Sequence, residues 1–166
     1  MPERVNIEEL YKAYSRMVYT IAYRIVKNKA DAEDITQDVF IKLIQIQDSL
    51  RRQNLKTFIY KITVNKSIDR LRNKKMQTVK NEDIKEELPK KKDSNENNII
   101  LNLLMEKIDI EQRIPILLSE IGGFSYKEIS EILETNIGTI KSRINRGINT
   151  LKQMAKEEID DDVSEN

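Results

Sequence analysis

The chain contains no histidine and no cysteine. Without histidine it lacks the usual general base near neutral pH and the usual zinc ligand. Without cysteine it has no disulfide, no thiolate metal site and no thiol nucleophile. Tryptophan is absent, and aromatic residues make up only 5% of the chain, so its cores must be built mainly from Ile and Leu. Glycine occurs four times and proline three times in 166 residues. That is too few turn formers for a sheet protein rich in tight hairpins, and the expected fold class is all-α. No apolar run is long enough to cross a bilayer. Met1-Pro2-Glu3-Arg4 lacks the basic-then-apolar layout of a secretory signal. The expectation is a soluble, cytoplasmic, helical protein with no cofactor and no catalytic apparatus.

The net charge is only +1, but the charges are segregated. Residues 51–92 carry fourteen basic and five acidic groups, and residues 93–134 carry three and nine. Residues 135–156 carry five basic groups and no acidic one, and residues 157–166 carry six acidic groups and no basic one. Two basic blocks separated by an acidic one suit docking of a polyanion at two places. Solvated helix faces would give the same pattern.

Apolar residues at helical spacing predict a long first helix through Ile7, Leu10, Tyr11, Tyr14, Val18, Ile21 and Ile25. A second is predicted from about Ala30 to Ile46 on the stripe Ile35, Val39, Leu43 and Ile46. Asp31, Glu33 and Asp34 suit the positive end of its dipole. Residues 47–54 are polar and read as a loop. A third helix is predicted over 55–75, with Phe58, Ile59, Ile62, Ile68 and Leu71 inward. Three such helices can share one core. Residues 76–98, with Pro89 and the run Lys90-Lys91-Lys92, read as a flexible linker. Beyond it the pattern predicts helices over 99–107 and 110–121, with Pro115 tolerated near the start of the second. The expected organisation is two small helical domains, 1–75 and 99–156, then an acidic tail, 157–166.

The second domain reads as a helix-turn-helix. Ser125-Tyr126-Lys127-Glu128 fits a capping box, Ile129, Ile132 and Leu133 give the short helix its buried face, and Glu134-Thr135-Asn136 is the turn. The following helix has Ile137, Ile140, Ile144, Ile148 and Leu151 on one side and Lys141, Ser142, Asn145, Arg146 and Asn149 on the other. Gly138 leaves its backbone open to close approach. A basic, hydrogen-bonding face in this setting suits the DNA major groove.

Three stretches together resemble the sigma-70 family of RNA polymerase initiation factors, specifically its small two-domain extracytoplasmic-function (ECF) branch. They are Asp31-Ala32-Glu33-Asp34-Ile35-Thr36-Gln37-Asp38-Val39-Phe40, residues 58–72 from Phe58 to Arg72, and Gly123-Phe124-Ser125-Tyr126-Lys127-Glu128-Ile129 with Gly138-Thr139-Ile140-Lys141-Ser142-Arg143. The resemblance implies that the first stretch docks on a coiled coil of the polymerase's largest subunit through Asp34, Gln37, Asp38 and Lys42. Simple capping accounts equally for Asp31 and Asp34. It implies that the second recognises the −10 element as single strand through Lys61, Asn65, Asp69 and Arg72, with Arg51, Arg52, Lys56, Lys66 and Arg70 along the backbone and the loop 47–56 holding an unstacked base. Asn65 is the leading base reader, although an amide there can equally be solvated. Phe58 and Tyr60 are the few aromatics near the strand. It implies that the third binds the −35 element through Thr139, Lys141, Ser142, Arg143, Asn145 and Arg146, with residues 110–121 near the polymerase flap.

The resemblance has departures. Phe58 stands where the family often has Trp, and Glu134 stands where the turn often has Gly. Implied partners are core polymerase, promoter DNA and an anti-sigma factor, with no membrane insertion. Two other functions remain open: a free-standing helix-turn-helix regulator, and an enzyme using Asp31, Asp34 and Asp38 around a divalent metal. The acidic tail would be a disordered solubilising end or a shield for the basic helix.

Overall fold

The computed structural model describes residues 4–78 and 96–165, with side chains described for 4–77 and 102–165. The described residues form seven α-helices and a 3-10 turn: α1 (Ile7–Val26), α2 (Lys29–Gln45), the turn Gln47–Ser49, α3 (Leu55–Thr78), α4 (Glu96–Lys107), α5 (Ile110–Glu120), α6 (Tyr126–Leu133) and α7 (Ile137–Ser164). The expected linker at 76–98 is helical at both its ends, in α3 and α4, and its middle, 79–95, lies outside the described residues.

Asparagines set the starts of three helices. The Asn6 side chain accepts from the N–H of Glu8 at 3.0 Å, Asn28 from that of Asp31 at 2.9 Å, and Asn136 from that of Gly138 at 2.8 Å. Between α1 and α2, Lys27 takes the left-handed conformation (φ 56°), so two residues suffice for the corner. Val18, Ile21, Ala22 and Ile25 of α1 meet Ala32, Ile35, Val39 and Leu43 of α2 in the first half's core.

The buried face of α3 is wider than the expected stripe, which packs on the core except at Phe58. Ile59, Tyr60, Thr63, Val64 and Ser67 are buried, Ile62, Ile68 and Leu71 are half-buried, and Phe58 is exposed. Thr63 and Ser67 donate their hydroxyls to the carbonyls of Ile59 (2.9 Å) and Thr63 (2.8 Å). Their polar atoms are satisfied within the helix, so small residues can line a close helix contact. Asp31 is likewise buried, and its carboxylate holds Arg70 at 3.2 Å and Lys74 at 2.6 Å, joining α2 to α3.

In the second half, Ser125 and Glu128 form the expected capping box, at 3.2 and 2.8 Å. Pro115 sits in the second turn of α5 and is buried rather than at the helix's edge. Gly123 before α6 has φ 66°, which a Cβ would strain. The α7 stripe forms as expected except at its start: Ile140 and Ile144 are buried with Gly147 beside them, Ile148 and Leu151 pack half-buried against the core, and Ile137 is exposed. Gly147 lets α7 approach α5, since a Cβ there would stand 2.5 Å from Ile116 Cδ1.

The expected disordered tail is instead the last part of α7, which runs unbroken through Ser164. No Gly or Pro follows Gly147, and Lys, Gln, Met, Ala and Glu from 152 to 158 are good helix formers. Glu158 lies 3.6 Å from Lys107 of α4, so this carboxylate does not shield the basic half of the same helix.

Candidate nucleic-acid interfaces

On α2, Asp34, Gln37, Asp38 and Lys42 are all exposed. Spacings of three, one and four place them along one side of the helix. Ile41 and Ile44 lie among them, 50% and 57% exposed. Sequence reasoning passed over both, although each is an apolar residue outside the stripe Ile35, Val39, Leu43. Two bare isoleucines ringed by polar groups form a patch suited to a protein partner. The three aspartates do not converge: Asp31 turns inward to two cations while Asp34 and Asp38 face solvent. Among the described residues no cluster of acidic groups is placed to hold a metal ion.

On α3, Asn65, Asp69 and Arg72 are exposed, and Arg72 lies 4.0 Å from Asp69. Lys61, on the same face, is half-buried and bonded to the Glu134 carboxylate. That bond and the lysine's charge hold the Glu134 carboxyl below the ordinary value of 4.5. Arg70 faces the other way, bridging to Asp31 and standing 3.9 Å from Asp34. It is placed to brace α3 rather than to contact a strand. Lys66, one turn before it, is half-buried.

The loop before α3 exposes Arg51 and Arg52, and the first turn of α3 exposes Lys56. Gln47 donates to the Val5 carbonyl at 2.7 Å, tying the loop to the start of α1, and Asn54 adopts φ 60°, a conformation asparagine tolerates. A hollow of about 370 Å³ opens here, lined by Asn6, Tyr14, Arg52, Asn54, Lys56 and, from α6, Glu128. Lys56 Nζ stands 4.7 Å from the centre of the Phe124 ring, within cation–π range. Tyr60 is buried, with the Phe124 ring edge-on at 4.8 Å, which removes it from the strand-facing aromatics and leaves the exposed Phe58.

On α7, Lys141, Asn145 and Arg146 are exposed, and Thr139, Ser142 and Arg143 are half-buried. Thr139, Ser142, Arg143 and Arg146 line one polar groove with Asp109 and Glu111. Arg143 is drawn toward Glu111 at 3.9 Å. The open part of the surface is therefore Lys141, Asn145 and Arg146. These same side chains can reach phosphates or base edges.

Elsewhere, Arg24 donates to Asn102, and Lys27 pairs with Glu106 at 2.7 Å. Burial, with Arg113 and Arg24 nearby, lowers Lys27 to about 8.

Residues 10–76 match the family model for sigma-70 region 2, and residues 99–151 match that for sigma-70 region 4. The chain is 29% identical over 155 residues to the ECF RNA polymerase sigma factor SigE of Mycolicibacterium smegmatis, covering 87% of this chain and 60% of that longer protein. It is 29% identical over 143 residues to the RNA polymerase sigma factor SigV of Bacillus subtilis, covering 85% of this chain and 86% of SigV. Its structure is similar to the sigma factor RpoE solved in complex with the anti-sigma factor NepR from Bartonella quintana. The TM-score is 0.77 with 25% identity, over 90% of this chain and 96% of that one. No helix among the described residues is long and apolar enough to cross a membrane.

Proposed function

The chain belongs to the ECF branch of the sigma-70 family of RNA polymerase sigma factors, and from that premise we propose how its surfaces divide the work. The α2 patch of Asp34, Gln37, Asp38 and Lys42, extended by Ile41 and Ile44, binds core polymerase. An acidic rim around an apolar centre suits a basic coiled coil with apolar knobs. Asn65, Asp69 and Arg72 on α3, with Lys61, the loop cations Arg51 and Arg52, and Lys56 at the start of α3, take the −10 strand. Lys66 adds charge beside them, and Arg70 positions α3. Lys141, Asn145 and Arg146 on α7 take the −35 duplex, flanked by Thr139, Ser142 and Arg143. No chemistry is needed beyond binding and strand capture, so the chain acts as a specificity subunit rather than an enzyme. Residues 4–78 and 96–156 act as its two DNA-binding units.

One observation carries this reading. Asn65, Lys141, Asn145 and Arg146 all face solvent while the apolar residues beside them on the same helices are buried. The similarity to a sigma factor solved with an anti-sigma factor supports an inhibitor of that kind as a further partner. The test is reconstitution. Purified chain plus core polymerase, given a pool of promoter fragments, is expected to yield specific transcripts absent with either component alone. Specific duplex binding by the free chain, with no transcripts when core is added, would instead identify a free-standing regulator.

A further inference from the structure

Where the end of α1 meets α4 and the start of α5, three cations share one carboxylate. Arg24 lies in the last turn of α1, and Lys27 caps that helix. Arg113 closes the first turn of α5, against which α1 packs. Glu106 of α4 pairs with Lys27 at 2.7 Å, and Asn102, one turn earlier, accepts from Arg24. Arg113 Nε is buried and has no acceptor among the described residues. We propose that Arg24, Lys27, Arg113 and the Asn102 amide form a site for a small multivalent phosphate, which displaces Glu106 from Lys27 on binding.

The cluster holds more positive charge than its surroundings match. A lysine paired with a carboxylate ordinarily keeps its proton more firmly. Lys27 instead falls to about 8, through burial first and then through the charges of Arg113 and Arg24. Burial also lowers Arg113 from its ordinary value, yet a guanidinium stays charged at any working pH. An unmatched charge taken out of water is costly, so an anion is stabilised more here than on open surface. Helix dipoles explain only part of the arrangement. The negative end of α1 favours Arg24 and Lys27, but Arg113 lies near the positive end of α5, which favours an anion rather than a cation. Guanidinium forks suit the oxygens of a phosphate, and meeting three cations takes several charged oxygens, which chloride and a lone carboxylate lack. The Lys27 and Glu106 side chains are 28% and 32% exposed. So enclosed a place admits a free phosphate more readily than one fixed in the backbone of a duplex. None of these residues is among those proposed to hold DNA. An occupied site joins α1 to α4 and α5, which makes the chain's stability depend on phosphate concentration.

The test is isothermal titration of the full-length chain in chloride buffer at fixed ionic strength. Inorganic phosphate should bind saturably at one site per chain, and pyrophosphate should bind more tightly. Lys27→Met and Arg113→Gln should each weaken both about tenfold, with helix circular dichroism showing that each variant is folded. Glu106→Gln removes an ion pair from the folded chain, yet should tighten phosphate about two- to fivefold, because the anion then meets no competing carboxylate. A cluster serving structure alone would give no such gain, so Glu106→Gln and Lys27→Met carry the test even if Arg113→Gln fails to fold. Adenosine triphosphate binding as tightly as pyrophosphate would support the site with nucleotides as its source of phosphate. Its exclusion, with phosphate and pyrophosphate still bound, would support the site with inorganic ions as the source. Three results would overturn the proposal: phosphate bound no better than chloride, equal binding by the Lys27→Met, Glu106→Gln and unsubstituted chains, or phosphate binding lost with Arg146→Ala instead.

Discussion

Gly147→Ala tests how α7 is seated on the second half's core. An added Cβ would stand 2.5 Å from Ile116 Cδ1 and 3.2 Å from Gln112 Cβ, against an ordinary carbon contact of about 3.5–4.0 Å. Ile116 is buried, so turning its terminal methyl away displaces core neighbours in a closely packed interior. Overpacking of this kind costs about 1–3 kcal/mol. Alanine in a helix interior returns about 1 kcal/mol over glycine. The net expectation is a loss of about 1 kcal/mol, read as a lower urea midpoint in helix circular dichroism. Ile116→Val removes the clashing methyl and alone should cost about 0.5–1.5 kcal/mol. In the Gly147→Ala background it should cost much less, giving a coupling of about 1 kcal/mol. A Gly147→Ala chain more stable by the full propensity gain, or two strictly additive substitutions, would refute the close contact. Arg146 adjoins Gly147, so a displaced α7 should also weaken duplex binding by holoenzyme.

Asp31→Asn should lower stability by about 2 kcal/mol in the same urea assay, because Arg70 and Lys74 lose a buried carboxylate. Intact stability would show the pair to be idle. Arg146→Ala should cost roughly 1–3 kcal/mol of discrimination at one −35 position, measured by competition among holoenzyme templates, and an equal loss on all templates would make it a phosphate contact. Asp38→Ala and Ile44→Ala should each weaken binding to core polymerase and leave the urea midpoint in place, so unchanged polymerase affinity would remove that face from the interface. Lys27 titrates near 8 in the folded chain against 10.5 when free. Between those values the unfolded chain holds more protons, so this group makes stability rise with pH there. Stability measured across that window should rise less for Lys27→Met than for the unsubstituted chain, and parallel profiles would refute the assignment.

Local signals carried the reading of the fold far. Ser125 and Glu128 announced α6, and the run without carboxylates from Thr135 to Lys156 marked the face of α7 that the structure leaves open. What was illegible depends on contacts distant in sequence. Tyr60 reads as a strand-facing aromatic until Phe124, sixty-four residues on, covers it. Arg70 reads as one more cation on a basic helix until Asp31 claims it. Thr63 and Ser67 look polar, yet their hydroxyls bond to their own helix and allow burial. Ile137 fits the apolar period but falls at the first turn of α7 and stays exposed. The tail's charge suggested disorder, but nothing in it breaks the helix that leads into it.

That continuous helix has a consequence of its own. At 1.5 Å per residue its 28 residues make a rod about 42 Å long, cationic toward its start and anionic at its end. A duplex attracts the near end and repels the far one, which applies a torque as well as a pull. Because α7 is packed on α4, α5 and α6, that torque acts on the whole second half and disfavours tail-first encounters with a duplex. On the proposed DNA-binding role of α7, its terminal carboxylates would act as a rudder, trading some raw adhesion to random DNA for better-oriented encounters.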